Sequence, residues 1–79
     1  MDTLFSLKVF RQVVQSGSFT RAADQLDIST AMASKHVSHL ENTIQAKLLH
    51  RNIRNLHLTE AGEEYYRQCS YALDTLDTA

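Results

Sequence analysis

Hydrophobic residues recur at intervals of three and four over residues 4–15, which is the period of an amphipathic helix. The positions are Leu4, Leu7, Phe10, Val13 and Val14. Gly17 follows this stretch and predicts the end of the helix, because glycine adopts the left-handed backbone conformation without a steric penalty from a Cβ atom. The pattern therefore predicts a first helix with a single apolar face.

A second, shorter helix is predicted over residues 19–26, with Ser18 as its N-cap. Its apolar side consists of Phe19, Ala22, Ala23 and Leu26. The two alanines are small, so the next helix can approach closely. Asp27 and Ile28 are expected to form the turn that leads to it.

The third helix is predicted over residues 30–43, with Ser29 as its N-cap. Its apolar stripe is Ala33, Val37, Leu40 and Ile44, at spacings of 4, 3 and 4. The opposite side carries Ala31, Lys35, Ser38 and Asn42, flanked by Ser34 and His39. Thr30 lies in the first turn, where backbone N–H groups have no partner within the helix. A buried face opposite a face of short hydrogen-bonding side chains is what reading of a DNA major groove requires.

Residues 48–58 no longer follow the helical period. Short alternating runs on either side of a polar segment predict a small hairpin with a basic tip, which we call the wing. The runs are Leu48-Leu49-His50-Arg51 and Leu56-His57-Leu58, and the tip is Asn52-Ile53-Arg54-Asn55. Thr59 then caps a last helix, which has Glu60, Glu63 and Glu64 near its positive N-terminal end. Its apolar seam is Tyr65, Cys69, Ala72 and Leu76, widened by Tyr66 and Leu73.

Composition agrees with one small, mostly helical domain. The chain has 79 residues, no proline, no tryptophan and two glycines, which is unusual for a sheet-rich protein with many turns. The single cysteine, Cys69, excludes an internal disulfide and indicates a reducing compartment. No segment resembles a signal peptide or a membrane span, so no membrane partner and a cytoplasmic location are expected.

The net charge of −1 conceals two regions of opposite sign. Residues 1–58 carry seven Lys and Arg against four Asp and Glu, a net charge of +3. Residues 59–79 carry one Arg against five Asp and Glu, a net charge of −4. A basic body with an acidic C-terminal segment predicts that the body faces phosphate and the segment faces away from it.

Together these motifs resemble the N-terminal winged helix-turn-helix domain of LysR-type bacterial transcriptional regulators. The resemblance covers nearly the whole chain and depends above all on Gly17-Ser18-Phe19-Thr20-Arg21-Ala22-Ala23 and Leu58-Thr59-Glu60-Ala61-Gly62. Further matches are Phe10, Leu26, Ser29, Ser34, Leu40-Glu41, Leu48 and Arg51. The resemblance implies a mainly α winged helix-turn-helix fold with a three-helix core, a small β-hairpin wing and a long C-terminal dimerisation helix.

The resemblance also implies how the chain is organised. Residues 1–58 would form the DNA-binding domain, and residues 59–79 the linker helix that pairs with a second copy. Family members continue into a large C-terminal domain that binds a small co-inducer. That domain is absent from these 79 residues, so a small-molecule effector is expected to act only through it.

The sequence departs from the family pattern at several positions. Thr30-Ala31 stand where Gln, followed by Pro or Ser, is commoner, and Lys35 stands where Arg is usual. Gln45 replaces a common Gly, Leu49 replaces a Phe, and Asn55 replaces a second basic residue of the wing. An individual base preference is therefore expected to depend on the segment from Thr30 to Lys35.

Four residues are the candidates for contact with base edges: Thr30, Ala31, Ser34 and Lys35. In the family, side chains at these positions enter the major groove. Lys35 can donate to guanine O6 or N7, a serine or threonine hydroxyl can donate or accept, and Ala31 can contact a thymine methyl. The alternative interpretation of this face is an ordinary solvated helix surface.

The candidates for contact with the DNA backbone are Ser18, Thr20, Arg21, Ser38, His39, Arg51 and Arg54. Ser18, Thr20 and Arg21 surround the start of the second helix, where backbone N–H groups can hold a phosphate. Arg51 and Arg54 belong to the wing, which is expected at the adjacent minor groove, and replacing Arg54 should flatten the salt dependence of binding. Arg51 could instead stabilise the fold through a carboxylate.

The resemblance implies a homodimer formed through the last helix, so that two recognition helices would read inverted half-sites of an operator. The candidate dimerisation residues are Tyr65, Cys69, Ala72, Leu73 and Leu76. The alternative from another functional class is a protein-interaction module that binds no DNA, for which the acidic segment 59–79 is the best support. Cys69 is interpreted as a small buried hydrophobic residue and not as a redox sensor.

The sequence gives little support for catalysis or for a bound cofactor. It shows no Ser-His-Asp set, no glycine-rich phosphate loop and no paired carboxylates in a predicted pocket. His36 and His39 have the i, i+3 spacing of a possible metal site, but no cluster of carboxylates or cysteines accompanies them. We therefore expect neither an enzyme nor a metal or cofactor site.

Overall fold

The computed structural model of the chain describes residues 2–51 and 56–78. In chain order, the elements are α1 (Thr3–Ser16), α2 (Phe19–Leu26), α3 (Thr30–Ile44), β1 (Leu49–Arg51), β2 (Leu56–Leu58) and α4 (Glu60–Thr78). The predicted helices are all present, and their ends lie within a residue or two of the predicted positions.

Local capping explains where the first helices begin and end. Asp2 caps α1, because its Oδ1 accepts from the backbone N–H of Leu4 at 3.0 Å. Gly17 ends α1 with a φ of 71°, in the left-handed region that glycine tolerates. The Ser18 hydroxyl accepts from the N–H of Arg21 at 3.1 Å and so begins α2, as predicted.

The turn between α2 and α3 is equally local in origin. Asp27 ends α2 with a φ of 58°, and the hydroxyl of Ser29 accepts from the N–H of Met32 at 3.0 Å to begin α3. At the far end of α3, Gln45 has a φ of 56°. This left-handed conformation is the physical reason for a glycine at that position in the family pattern.

The core lies between α1, α2, α3 and the inner side of α4. Its buried hydrophobic residues are Val9, Phe10, Val13, Ala22, Ala23, Ala33, Val37, Leu40, Leu48, Leu49, Cys69 and Leu73. Phe10 contacts Tyr65 and Tyr66 edge to face, with ring centroids 5.7 and 6.3 Å apart. Cys69 is therefore a buried hydrophobic residue, as predicted.

The helix α1 lies between α3 and α4 and uses different faces for the two. The face with Ser6 contacts His36 of α3, while Leu7 contacts Cys69 of α4 through its carbonyl oxygen. Arg11 adds an ion pair with Asp74 at 2.8 Å at the edge of the α1–α4 contact. The recognition-helix candidate and the acidic helix are thus held on separate sides of α1.

Two antiparallel strands form the wing, with Leu49 opposite Leu58 and His50 opposite His57. The wing joins directly to α4. The N–H of Thr59 donates to the carbonyl oxygen of Leu48 at 3.0 Å, and its hydroxyl donates to that of Lys47 at 2.5 Å. The same hydroxyl oxygen accepts from the N–H of Gly62 at 2.8 Å, which makes Thr59 the cap of α4.

The predicted seam of α4 is divided between the core and the surface. Cys69 and Leu73 are buried against α1, so their surface is already used within the chain. Tyr65 is half-buried, whereas Ala72 is exposed and Leu76 is 59% exposed. Of the candidate dimerisation residues, Ala72 and Leu76 are therefore the ones whose side chains are open to a partner.

The three-helix core, the hairpin and the long last helix confirm the predicted mainly α, winged helix-turn-helix fold. Over residues 2–51 and 56–78, no helix combines the length and the hydropathy needed to cross a membrane.

Candidate nucleic-acid interface

The outer face of α3 presents the predicted base-contact residues together. Thr30, Ala31 and Lys35 are exposed, and Ser34 is half-buried beside them. Ala33, Val37 and Leu40 on the opposite side are fully or almost fully buried. The core therefore fixes the orientation of α3, so that a short, mixed polar and basic face points to solvent.

The backbone-contact candidates on the helices lie next to this face. Ser38 and His39 continue it along α3 and are half-buried. Thr20 and Arg21 are exposed on the first turn of α2, whereas the hydroxyl of Ser18 already accepts a backbone N–H as an N-cap. Thr20 and Arg21 are thus free to meet a phosphate through their side chains.

Arg51, the last residue of β1, contacts three residues of the protein itself. Its guanidinium carbon lies 4.5 Å from the ring centroid of Phe19, a cation–π distance. Its Nη1 donates to the hydroxyl oxygen of Ser34 at 2.9 Å. Its Nη2 lies 3.8 Å from Oε1 of Glu41. Arg51 therefore connects the wing to both α2 and α3, which supports the alternative of a stabilising role.

Glu41 is the anchor of that connection. Its side chain is 8% exposed, and its Oε2 accepts from the N–H of Leu48 at 2.8 Å and from that of Leu49 at 3.4 Å. A buried carboxylate needs such partners, since an unpaired one is costly. These contacts of Glu41 and Phe19 were not predicted from the sequence; the only signal was the presence of both residues in the motifs that carry the family resemblance.

An open cleft of about 320 Å³ separates the second half of α3 from β1. Its lining residues are Ser38, Glu41, Lys47, Leu49, His50 and Arg51. Lys47 and His50 were not among the predicted contact residues, although both add donors near the polar face of α3. The tip candidate Arg54 lies outside the described residues.

His36 is turned away from the interface and into the α1–α3 contact. It is 6% exposed, its Nδ1 lies 2.8 Å from the Ser6 hydroxyl oxygen, and its ring lies edge-on to Phe5 at 5.1 Å. His39, by contrast, is half-buried on the other side of α3. Across the described part of the chain, no three His, Cys, Asp or Glu side chains form a group that could hold a metal ion.

Known proteins place this geometry in a family. The model of the family described as "Bacterial regulatory helix-turn-helix protein, lysR family" matches residues 4–63. An uncharacterised HTH-type transcriptional regulator of Haemophilus influenzae is 47% identical over 79 residues, which is 100% of this chain and 27% of the relative. The HTH-type transcriptional activator AaeR of Escherichia coli is 49% identical over 69 residues, 87% of this chain and 22% of AaeR. The chain thus spans about a quarter of the length of these curated relatives.

Solved structures show the same fold. The crystal structure of the BenM_DBD/catB site 1 DNA complex has a TM-score of 0.92 at 33% identity, over 99% of this chain and 86% of that one. The CbnR_DBD–DNA complex has a TM-score of 0.90 at 27% identity, over 99% and 88%. With the family match over most of its length, this chain belongs to the lysR family of bacterial regulatory helix-turn-helix proteins.

Proposed function

We propose that this domain binds double-stranded DNA sequence-specifically and serves a bacterial transcriptional regulator. The observation that carries the proposal is the outer face of α3, where Thr30, Ala31 and Lys35 are exposed while the other side is locked in the core. Two of the similar solved structures are complexes with DNA, and the relatives are transcriptional regulators by name and not enzymes.

In the proposed mechanism, α3 enters the major groove with its N-terminal half against the base edges. Lys35 donates to guanine O6 or N7, Thr30 and Ser34 donate or accept, and Ala31 packs on a thymine methyl. Thr20, Arg21, Ser38 and His39 contact the sugar-phosphate backbone and set the register. The wing lies at the adjacent minor groove.

We further propose that two copies pair through α4 and read inverted half-sites. The support is the exposed apolar side chain of Leu76, beside the small exposed Ala72, on a helix that is already fixed to the body at Cys69 and Leu73. Pairing of this kind places the two α3 helices on the same side of the DNA, about one helical turn or a multiple of it apart.

The proposal is tested by selecting bound duplexes from a random pool and then titrating the protein against the most enriched duplex. We expect an enriched motif with inverted symmetry and tighter binding to it than to a scrambled duplex of equal length. Enrichment of a single half-site would support base readout but contradict the dimer. Binding without any preference would contradict sequence-specific recognition.

A second candidate function is a protein-interaction module, which the acidic α4 favours through Glu60, Glu63 and Glu64. A gel shift against random duplex at low and at moderate salt separates the two. A protein that binds DNA through phosphate contacts shifts the duplex at low salt, and the shift disappears as the salt concentration rises. No shift at either salt would favour the interaction module.

A further inference from the structure

We propose that Arg51 is a positioning residue for base readout by Ser34, acting through its contacts within the protein and not as a phosphate contact. The inference rests on the DNA binding proposed above. It begins from the 2.9 Å hydrogen bond in which Nη1 of Arg51 donates to the hydroxyl oxygen of Ser34. This bond joins the wing to a base-reading position of α3.

The bond fixes the role of the Ser34 hydroxyl. A guanidinium only donates, whereas a hydroxyl has one proton to donate and can accept at its oxygen. When the oxygen of Ser34 accepts from Arg51, its own proton remains to be donated. The bond uses one of the two acceptor lone pairs of the oxygen, so donation by Ser34 is favoured over further acceptance before DNA arrives.

A donor at this position has a definite base preference. In the major groove, guanine presents acceptors at N7 and O6, adenine presents an acceptor at N7, and thymine presents one at O4. Cytosine presents only the N4–H donor. Ser34 is therefore expected to discriminate against cytosine at the base that it faces. Arg51 controls this discrimination without touching the base.

The surroundings of Arg51 hold it in place. Its guanidinium covers the Phe19 ring at 4.5 Å and lies 3.8 Å from the Glu41 carboxylate. Glu41 is 8% exposed and is tied to the start of the wing by the N–H groups of Leu48 and Leu49. Moving Arg51 out to a phosphate would leave this buried carboxylate without its cation and would uncover the aromatic ring. Keeping its contacts with Phe19 and Glu41 is the less costly arrangement for Arg51, although its side chain is 36% exposed.

The test compares Ser34→Ala, Arg51→Gln and the double variant on the selected operator and on operators with a single cytosine introduced at each position in turn. We expect Ser34→Ala to reduce discrimination about 3- to 10-fold at one base position, the range for one net hydrogen bond. Arg51→Gln should reduce discrimination at that same position. The double variant should lose no more than either single variant, because the two residues act as one unit.

Charge and geometry are separated by Arg51→Lys and by salt. Lysine keeps the positive charge but lacks the planar fork that stacks on Phe19 while donating to Ser34. We expect Arg51→Lys to lose the discrimination against cytosine. Arg51→Gln should keep the wild-type slope of log affinity against log salt. The matched control is Arg67, an exposed arginine of α4 that pairs with Glu64; Arg67→Gln and Arg67→Lys should alter neither quantity. Circular dichroism verifies that each variant is folded.

Three results would overturn the role of Arg51 while leaving DNA binding intact. The first is that Arg51→Gln loses the same affinity for every duplex and lowers the slope of log affinity against log salt by about one, which marks a phosphate contact. The second is that Arg51→Gln loses discrimination at a different base position from Ser34→Ala. The third is that the losses of the two single variants add up in the double variant. Failure of the unaltered chain to prefer any duplex would instead refute the proposed function, and the two failures are thus distinguishable.

Discussion

The Nδ1 atom of His36 lies 2.8 Å from the hydroxyl oxygen of Ser6, inside the contact between α3 and α1. The Ser6 hydroxyl also lies 3.0 Å from the carbonyl oxygen of Asp2 and donates to it. Nδ1–H of His36 is then the donor to Ser6, since the serine has a single proton. This buried pair fixes the rotation of α3 about its axis, from the side opposite the exposed face that carries Lys35.

The pair makes stability depend on pH. Burial lowers the pKa of His36 below 6.5; the neighbouring His39 adds to the shift and Asp2 opposes it. The folded chain thus takes up a proton less readily than the unfolded chain, so the free energy of unfolding falls as pH drops below about 6.5. Urea unfolding at several pH values measures this. His36→Asn should show a smaller fall, because asparagine does not titrate.

His57→Asn is the control for this prediction, since His57 is exposed on β2. It should reproduce the pH dependence of the unaltered chain. A full acid-induced loss of stability in the His36→Asn variant would show that another group is responsible.

Gly62 allows α4 to pass against the backbone of Leu48. A Cβ atom at Gly62 would overlap the carbonyl oxygen of Leu48, which already accepts the N–H of Thr59 at 3.0 Å. A helical Gly→Ala change normally stabilises by about 0.5–1 kcal/mol. Here we expect Gly62→Ala to destabilise by about 1–3 kcal/mol through overpacking. Thermal unfolding checks the sign, and Ala61→Ser, at the exposed neighbouring position, should change stability by less than about 0.5 kcal/mol.

Gln45 presents the opposite case to Gly62, because here a residue with a Cβ atom stands where glycine would be favoured. Its φ of 56° lies in the left-handed region, where residues with a Cβ pay a steric cost. Gln45→Gly should therefore stabilise the chain by about 0.5–1 kcal/mol, after the entropy of the more flexible unfolded chain is counted. Gln15→Gly, in the right-handed last turn of α1, should destabilise by a similar amount. Equal effects of the two changes in chemical denaturation would contradict the strain argument.

Lys35 is the proposed base-contact residue whose removal is most informative. Lys35→Ala should cost roughly 1–3 kcal/mol of binding on the selected operator and relax the preference at one base position. Fluorescence anisotropy on the operator and on random duplex measures both effects. The control Lys8→Ala removes the same charge from an exposed position of α1. Equal losses from Lys35→Ala on operator and random duplex would refute base reading.

Leu76 tests the proposed dimer. A glutamate at position 76 places a charge on the apolar patch of α4, so Leu76→Glu should shift sedimentation equilibrium toward the monomer. Tyr71→Glu introduces the same charge at a site that is 76% exposed, on another side of the helix, and should leave self-association unchanged. A chain that is monomeric at high concentration even without substitution would contradict pairing through these 79 residues.

The elements of this fold were predictable because their signals are local. Ser18, Ser29 and Gly17 end or begin helices through hydrogen bonds and backbone conformations that involve neighbours three or four residues away. The apolar stripe of α3 likewise needed only the helical period. Such features are written into short stretches of sequence.

The surroundings of Arg51 were not predictable in the same way. Arg51 meets its three partners only after the wing has folded back on α3 and α2; these partners are Phe19, Ser34 and Glu41. The seam of α4 shows the same limit: its spacing indicated an apolar face but not what covers it. Cys69 and Leu73 are covered by α1, and Leu76 is left open.

The attachment of α4 to the wing has a mechanical consequence. Thr59 is bonded to the carbonyl oxygens of Lys47 and Leu48, and Gly62 leaves no free space against the same backbone. Sliding or pivoting of the first turn of α4 against β1 and β2 would break the hydrogen bonds of Thr59 or press Gly62 into the backbone of Leu48. A torque applied to α4 is therefore expected to be transmitted to the two strands.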